Sequence, residues 1–216
     1  MRQSSPCLYS RPQQLATLKI FGGAKSRAIR SLWAIEETGV PFEHIAINTL
    51  DEMRGFEFLA VNPNGKIPAL LDGELAIFES MCINLYLAEN YAPALLPKED
   101  DGRTQAIQWS FWAISEIEPL QMDILNNTKF LPKDKRNPAV AELALKRIQR
   151  PLRVLEEKLA SHPWLVSEYF TLADLNLASV MLLLEMSKFD YSSLPQTRKW
   201  LDECYARPAL KKAQAR

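Results

Sequence analysis

The hydrophobic pattern changes character about 100 residues into the chain. In the first part, short alternating runs are interleaved with helical faces. Thr17-Leu18-Lys19-Ile20-Phe21 reads as a short strand, broken by Gly22-Gly23. Ala28, Ile29, Leu32, Trp33 and Ile35 fall on one helical face, closed by Thr38-Gly39 with Pro41 beyond. Phe42 to Ile47 reads as a second strand, so the unit implies parallel pairing through a right-handed crossover. A short helix through Phe56, Leu59 and Val61 follows. Asn62-Pro63-Asn64-Gly65 is a turn, and Ala69-Leu70-Leu71 and Leu75-Ala76-Ile77-Phe78 are paired strands. Asp72-Gly73 between them is read as a two-residue type I′ turn. Glu79-Ser80 then opens a helix carrying Met81, Ile83, Leu85, Leu87 and Ala88.

After Pro93 and Pro97 the pattern is helical only. Ile107, Phe111, Ile114, Ile117 and Leu120 form one stripe over 105–126, which Pro119 is expected to bend. Asn137-Pro138 starts a helix running to about residue 160, with Pro151 expected to disturb it. Thr171-Leu172-Ala173-Asp174 is a capping-box start. The helix it opens, over 172–185, is apolar nearly all round and so belongs at the centre of its domain. Two terminal helices, over 194–207 and 208–213, complete the chain. The expected division is an extension over 1–16, an α/β domain over 17–91, a linker over 92–100 and an all-α domain over 101–216.

Composition narrows the function. The 216 residues carry 26 basic and 26 acidic side chains, which gives no electrostatic case for nucleic acid or an anionic membrane surface. Cys7, Cys82 and Cys204 are far apart, without a Cys-x-x-Cys pair, and only His44 and His162 are available. No metal site or disulfide framework is therefore expected. The polar N-terminus lacks the apolar core of a signal peptide, and no run is long enough to span a membrane. The default location is the cytoplasm.

Two features set the hairpin apart. Pro68 cannot donate to a ladder, so Ile67-Pro68 marks a strand entry, and an X-Pro bond is the realistic place for a cis peptide. A cis bond there would turn the Ile67 N–H and C=O outward to pair with an extended, peptide-like ligand. Glu79-Ser80 stands at a helix start, where unpaired N–H groups hold a carboxylate. With the Glu79 side chain to hold an ammonium, the pair suits an α-amino-acid head group. Taken singly, these are an ordinary strand entry and an ordinary helix cap.

Asn-Pro-x-Gly-Lys-Ile-Pro-Ala-Leu, a hairpin, and Glu-Ser together resemble the glutathione-binding half of the cytosolic glutathione S-transferases. Trp164-Leu165-Val166, Phe170-Thr171-Leu172-Ala173-Asp174-Leu175 and Arg207-Pro208-Ala209 resemble motifs of the same family's helical half. Ser167-Glu168-Tyr169 departs from it, where the family usually has a glycine. The resemblance implies a thioredoxin-like N-terminal domain and an all-α C-terminal domain. It implies that Lys66, Ile67, Glu79 and Ser80 bind glutathione, that Pro68, Thr171 and Asp174 are structural, and that the enzyme is a homodimer. Glutathione is then a co-substrate, with no other cofactor, and the second partner is a small apolar electrophile.

The chemistry requires a thiolate. A free thiol has a pKa of ~8.5, and lowering it by about two units corresponds to roughly 2.7 kcal/mol. The loop Gly22 to Arg30 holds one hydroxyl, Ser26, at the expected helix start. On the residues alone it is either an N-cap or a donor to sulfur. The serine-type transferases, theta and phi, place a serine at this offset, which implies a catalytic Ser26. The loop has neither the tyrosine nor the cysteine of other classes. Lys25, Arg27 and Arg30 are read as surface charges and Cys82 as a core residue. Trp109, Phe111 and Trp112 are candidates for the electrophile pocket. A glutathione-dependent isomerase or dehalogenase, or a non-catalytic interaction module on the same fold, are the competing readings.

Overall fold

A computed structural model describes residues 18–216. The 1–16 extension and Thr17 lie outside the described residues. Four strands, β1 (Leu18–Phe21), β2 (Phe42–Ile45), β3 (Ala69–Asp72) and β4 (Leu75–Phe78), form one sheet in the order β2-β1-β3-β4. β1 pairs in parallel with β2, Leu18 opposite Phe42, and antiparallel with β3, Phe21 opposite Ala69. The crossover helix α1 (Ile29–Thr38) ends at Gly39 with φ 68°, the left-handed conformation that glycine adopts without penalty. This is the thioredoxin-like arrangement expected.

The hairpin differs in one detail. Asp72 pairs with Leu75, so the central turn residues are Gly73 and Glu74, and only Gly73 has positive φ, 61°. A type I′ turn needs positive φ at both positions, so this pattern is that of a II′ turn. Asp72 faces inward instead, and the hydroxyls of Tyr86 and Tyr91 donate to its carboxylate.

The two central strands, β1 and β3, are covered on both faces. Ile20 and Leu70 pack with Leu32 and Trp33 of α1 and with Ile83 and Leu87 of α4 (Ser80–Tyr91). On the other face Phe21 and Ala69 meet Ile47 and Phe58, the two rings 5.8 Å apart. Phe58 comes from α3 (Phe56–Val61), preceded by an unanticipated short helix, α2 (Leu50–Arg54). Its signal was present: Thr49 and Glu52 form a capping box, with Glu52 accepting from Thr49 N–H at 2.8 Å.

The second domain holds α5 (Gly102–Trp112), α6 (Glu118–Leu125), α7 (Pro138–Ser161), α8 (Leu172–Met186), α9 (Pro195–Tyr205) and α10 (Pro208–Gln214). The bend expected at Pro119 is a π turn just ahead of it, Ala113–Ile117, in which the Glu118 N–H reaches back five residues to Ala113. Pro119 has no N–H to continue the regular ladder. Pro151, by contrast, does not interrupt α7. A proline inside a helix costs about 3 kcal/mol. Ile148, Leu152, Leu155 and Leu159 on the same helix are buried, and each fully buried aliphatic side chain contributes roughly 1.5–3 kcal/mol. That face outweighs the lost hydrogen bond.

α8 is central, as its composition predicts: eleven of its residues from Leu172 to Leu184 are buried. The Ser167–Tyr169 stretch, where the family glycine is missing, ties the linker down. Ser167 Oγ donates to Glu99 at 2.6 Å, and Tyr169 Oη accepts from Lys98 N–H at 3.1 Å.

Candidate functional site

The site begins where β1 runs out. Gly22 has φ 124°, and a Cβ on it would lie 2.6 Å from the Ala28 Cβ and 3.0 Å from the Ile67 Cβ. Only glycine lets the start of α1 and the proline loop approach this closely. The Gly22 and Gly23 N–H groups donate to Ile45 and Ile47 carbonyls at 3.0 and 3.1 Å, continuing the pairing past the strand. Ser26 then sits in a turn, and α1 starts three residues later than its position implies. Its Oγ donates to the Gly23 carbonyl at 2.7 Å and accepts from the Ala28 N–H at 3.0 Å. The hydroxyl is thus bonded as a cap, yet it lines a cleft. A hydroxyl has one proton and two lone pairs. Rotation about the Cβ–Oγ bond turns that proton from Gly23 to a ligand, with the Ala28 N–H still in place.

The proline loop is held from within. Asn62 is buried; its Nδ2 donates to the Lys66 carbonyl at 2.5 Å and its Oδ1 accepts from the Asn64 N–H at 3.0 Å. The Ile67-Pro68 bond is cis. Among the described residues no hydrogen bond engages the Ile67 N–H or C=O. At the far end of the hairpin, Glu79 has φ 71° and no side chain caps α4. Ser80 is buried behind it, its carbonyl accepting from Ser31 Oγ at 3.5 Å.

Ser26, Lys66, Ile67, Pro68, Glu79 and Ser80 all line one cleft of about 980 Å³ between the sheet domain and α5. Thr171 and Asp174 lie apart from it, in the core. The Asp174 carboxylate accepts from Leu165 N–H, Thr171 N–H, Thr171 Oγ1 and Trp200 Nε1, at 2.9 to 3.0 Å. Burial raises this carboxyl above its ordinary range, against those four donors.

Three sequence readings need correction. Arg30 is not a surface charge: its side chain is 3% exposed, and its Nη1 donates to Glu118 at 2.9 Å. Arg27 binds the other oxygen of the same carboxylate. Burial alone would raise the Glu118 carboxyl, but Arg30 and Arg27 outweigh it and hold it below the ordinary range. Glu118 lies 88 residues from Arg30, so no local pattern could have paired them. Cys82 is exposed and lines the cleft rather than pointing into the core. Partial burial, then the Glu79 and Glu89 carboxylates, push its thiol above the ordinary value, which keeps it protonated and a poor nucleophile at neutral pH. Of the three aromatic candidates, only Phe111 lines the cleft, with Ile107 and Ile114; Trp109 and Trp112 pack edge to face, 5.1 Å apart, against the core.

The two domains also meet through buried amides. Asn84 Nδ2 of α4 donates to Asn176 Oδ1 of α8 at 2.8 Å, and Asn176 Nδ2 to Ser110 Oγ of α5 at 2.8 Å. This chain ties the helix that presents Ser80 to the helix forming the opposite wall.

A thioredoxin-like sheet joined to a helical domain, with an unpaired backbone edge and an uncapped helix facing one cleft, suits an extended, peptide-like ligand with an anionic end. Residues 16–89 match the glutathione S-transferase N-terminal domain and residues 117–208 the C-terminal domain. Glutathione S-transferase 4 of Zea mays is 31% identical over 202 residues, covering 90% of this chain and 91% of that protein. The solved theta class glutathione S-transferase of Xanthomonas axonopodis pv. citri, with glutathione bound, superposes with a TM-score of 0.84 at 28% identity, covering 92% of this chain and 97% of the other. Glutathione S-transferase-I bound with lactoylglutathione gives 0.83, also at 28% identity, covering 93% and 99%. The chain belongs to the glutathione S-transferase family.

Among the described residues, no group of three or more His, Cys, Asp and Glu could hold a metal ion. No helix among them is long and apolar enough to cross a membrane.

Proposed function

We propose that this protein binds glutathione along the proline loop and transfers its sulfur to small, apolar electrophiles. The observation that carries the reading is the Ser26 hydroxyl, which lines the same cleft as the unpaired Ile67 backbone and the uncapped start of α4. The Ile67 N–H and C=O pair with the cysteinyl backbone of glutathione. Ser80 and the α4 N–H groups hold the γ-glutamyl carboxylate, Glu79 holds its ammonium, and Lys66 lies beside the tripeptide. Ser26 donates to the sulfur and favours the thiolate, which attacks by substitution or conjugate addition.

Apolar electrophiles fit the opposite wall, where Ile107, Phe111 and Ile114 face the cleft. A homodimer in the cytoplasm belongs to the same reading. Phe56, outside the cleft, is 86% exposed, a large ring of the kind a subunit interface covers.

The test is a pH titration of bound glutathione by thiolate absorbance. The wild type is expected to hold thiolate at neutral pH. Ser26→Ala should raise the thiol pKa by about two units and lower kcat/KM at neutral pH roughly 100-fold. Thiolate that persists in Ser26→Ala would remove the catalytic assignment.

A further inference from the structure

Three charges at the cleft wall are not balanced. Glu118 is the one carboxylate hydrogen-bonded to the two guanidiniums of Arg27 and Arg30, with Glu79 close enough to act on Arg30 through its charge alone. The two arginines are not equivalent. Arg30 is 3% exposed, and its Nη2 is buried without a hydrogen-bond partner. Arg27 is 48% exposed, lines the cleft, and follows Ser26 directly. Arg30 cannot leave Glu118 without stranding a charge in the core. Arg27 can, because its head group is half in water already and exposed ion pairs are weak.

Departure of Arg27 leaves the Glu118 carboxylate to Arg30, which it already binds through Nη1 at 2.9 Å. Arg27 is then left as an uncompensated cation one residue from the hydroxyl that faces the sulfur.

We infer that Arg27 is an exchangeable anion receptor, which leaves Glu118 to bind a carboxylate carried by the electrophile, and that electrophiles bearing such a group near the reacting carbon are preferred substrates. Halogenated nitrobenzoates are the simplest of this class. The thiolate sulfur bonds to the carbon bearing the halogen, and halide leaves with the bonding electron pair. The inference rests on the glutathione reading above, but it concerns the second substrate only.

The experiment measures equilibrium binding of three ligands to the whole protein: glutathione, S-(4-carboxybenzyl)glutathione and S-(4-carbamoylbenzyl)glutathione. The last two have nearly the same shape and differ in charge. At low ionic strength the wild type is expected to prefer the carboxylate by about tenfold, a preference that falls as salt is added. Arg27→Gln should bind the two equally, and Arg27→Lys should keep part of the preference. Equal affinities in the wild type overturn the proposal, as does a preference that survives Arg27→Gln. A loss shared equally by all three ligands in Arg27→Gln overturns it too, since Arg27 would then hold glutathione itself. If glutathione does not bind the wild type, the transferase reading fails, and this inference with it.

Discussion

Helices α4 and α8 each begin with a pair of polar residues ahead of a buried apolar run, and the two starts are built in opposite ways. At α8, Thr171 and Asp174 close on each other, and the Asp174 carboxylate takes four donors from three parts of the domain. At α4, no side chain caps the helix, and Glu79 stands exposed at φ 71°, a region that favours glycine. A start whose groups are all paired internally is a folding element. A start left uncapped, with backbone strain retained, is available to a ligand. The same contrast separates the polar residues of the core from those of the cleft.

The largest effect should come from opening the closed start. Asp174→Ala leaves four buried donors without an acceptor and should destabilise the protein by roughly 4 kcal/mol in urea unfolding. The folded fraction should bind glutathione with unchanged affinity. Lost binding with stability intact would reverse the assignment of the two starts.

Glu118 sharpens the contrast, because it lines the cleft and yet is fully engaged. Glu118→Ala strands buried Arg30 and should cost roughly 3 kcal/mol. The Glu118 carboxyl is held below its ordinary range in the folded state. Its contribution is therefore complete above the ordinary glutamate range and is lost as pH falls through the lower folded-state value. Unfolding curves on the acid side should lose that part of their slope in Glu118→Gln. An unaltered acid limb would mean that the pair carries little.

Glu79→Gly should act with the opposite sign. Relief of the positive φ is expected to stabilise the chain by about 1 kcal/mol. Loss of the carboxylate should weaken glutathione binding by about tenfold. A variant that loses stability instead would show that Glu79 is not strained.

The cleft's proline-loop half was readable from local signals. Ile67-Pro68, the hairpin and Glu79-Ser80 lie within one short segment, so chain connectivity places them near one another; Ser26, a few residues after the first strand, joins them because β1 pairs with β3. The opposite wall was not readable. Arg30 lies between Ile29 and Ser31 in a stretch with no marker of burial, and Glu118 belongs to a distant helix. Cys82 misled for a related reason: α4 is apolar enough on all sides that its sequence does not tell which face the second domain covers. The Trp109, Phe111 and Trp112 cluster was legible as apolar, but the rotation of α5 decided that only Phe111 faces the cleft.

By itself the sequence determined the element order, the thioredoxin-like topology, the capping box at Thr171 and Asp174, and the residues along the proline loop. The elements, the capping box and the proline loop depend on neighbours a few positions apart, through turn chemistry, capping and periodicity, and the topology follows from their order with a right-handed crossover. Only the tertiary structure decided which arginine is buried, which acid answers it, that Pro151 stays within α7, and that Ser26 faces the cleft. Those outcomes depend on burial and on contacts between segments tens of residues apart. Their energies are set by the surroundings a side chain meets after the domains have packed.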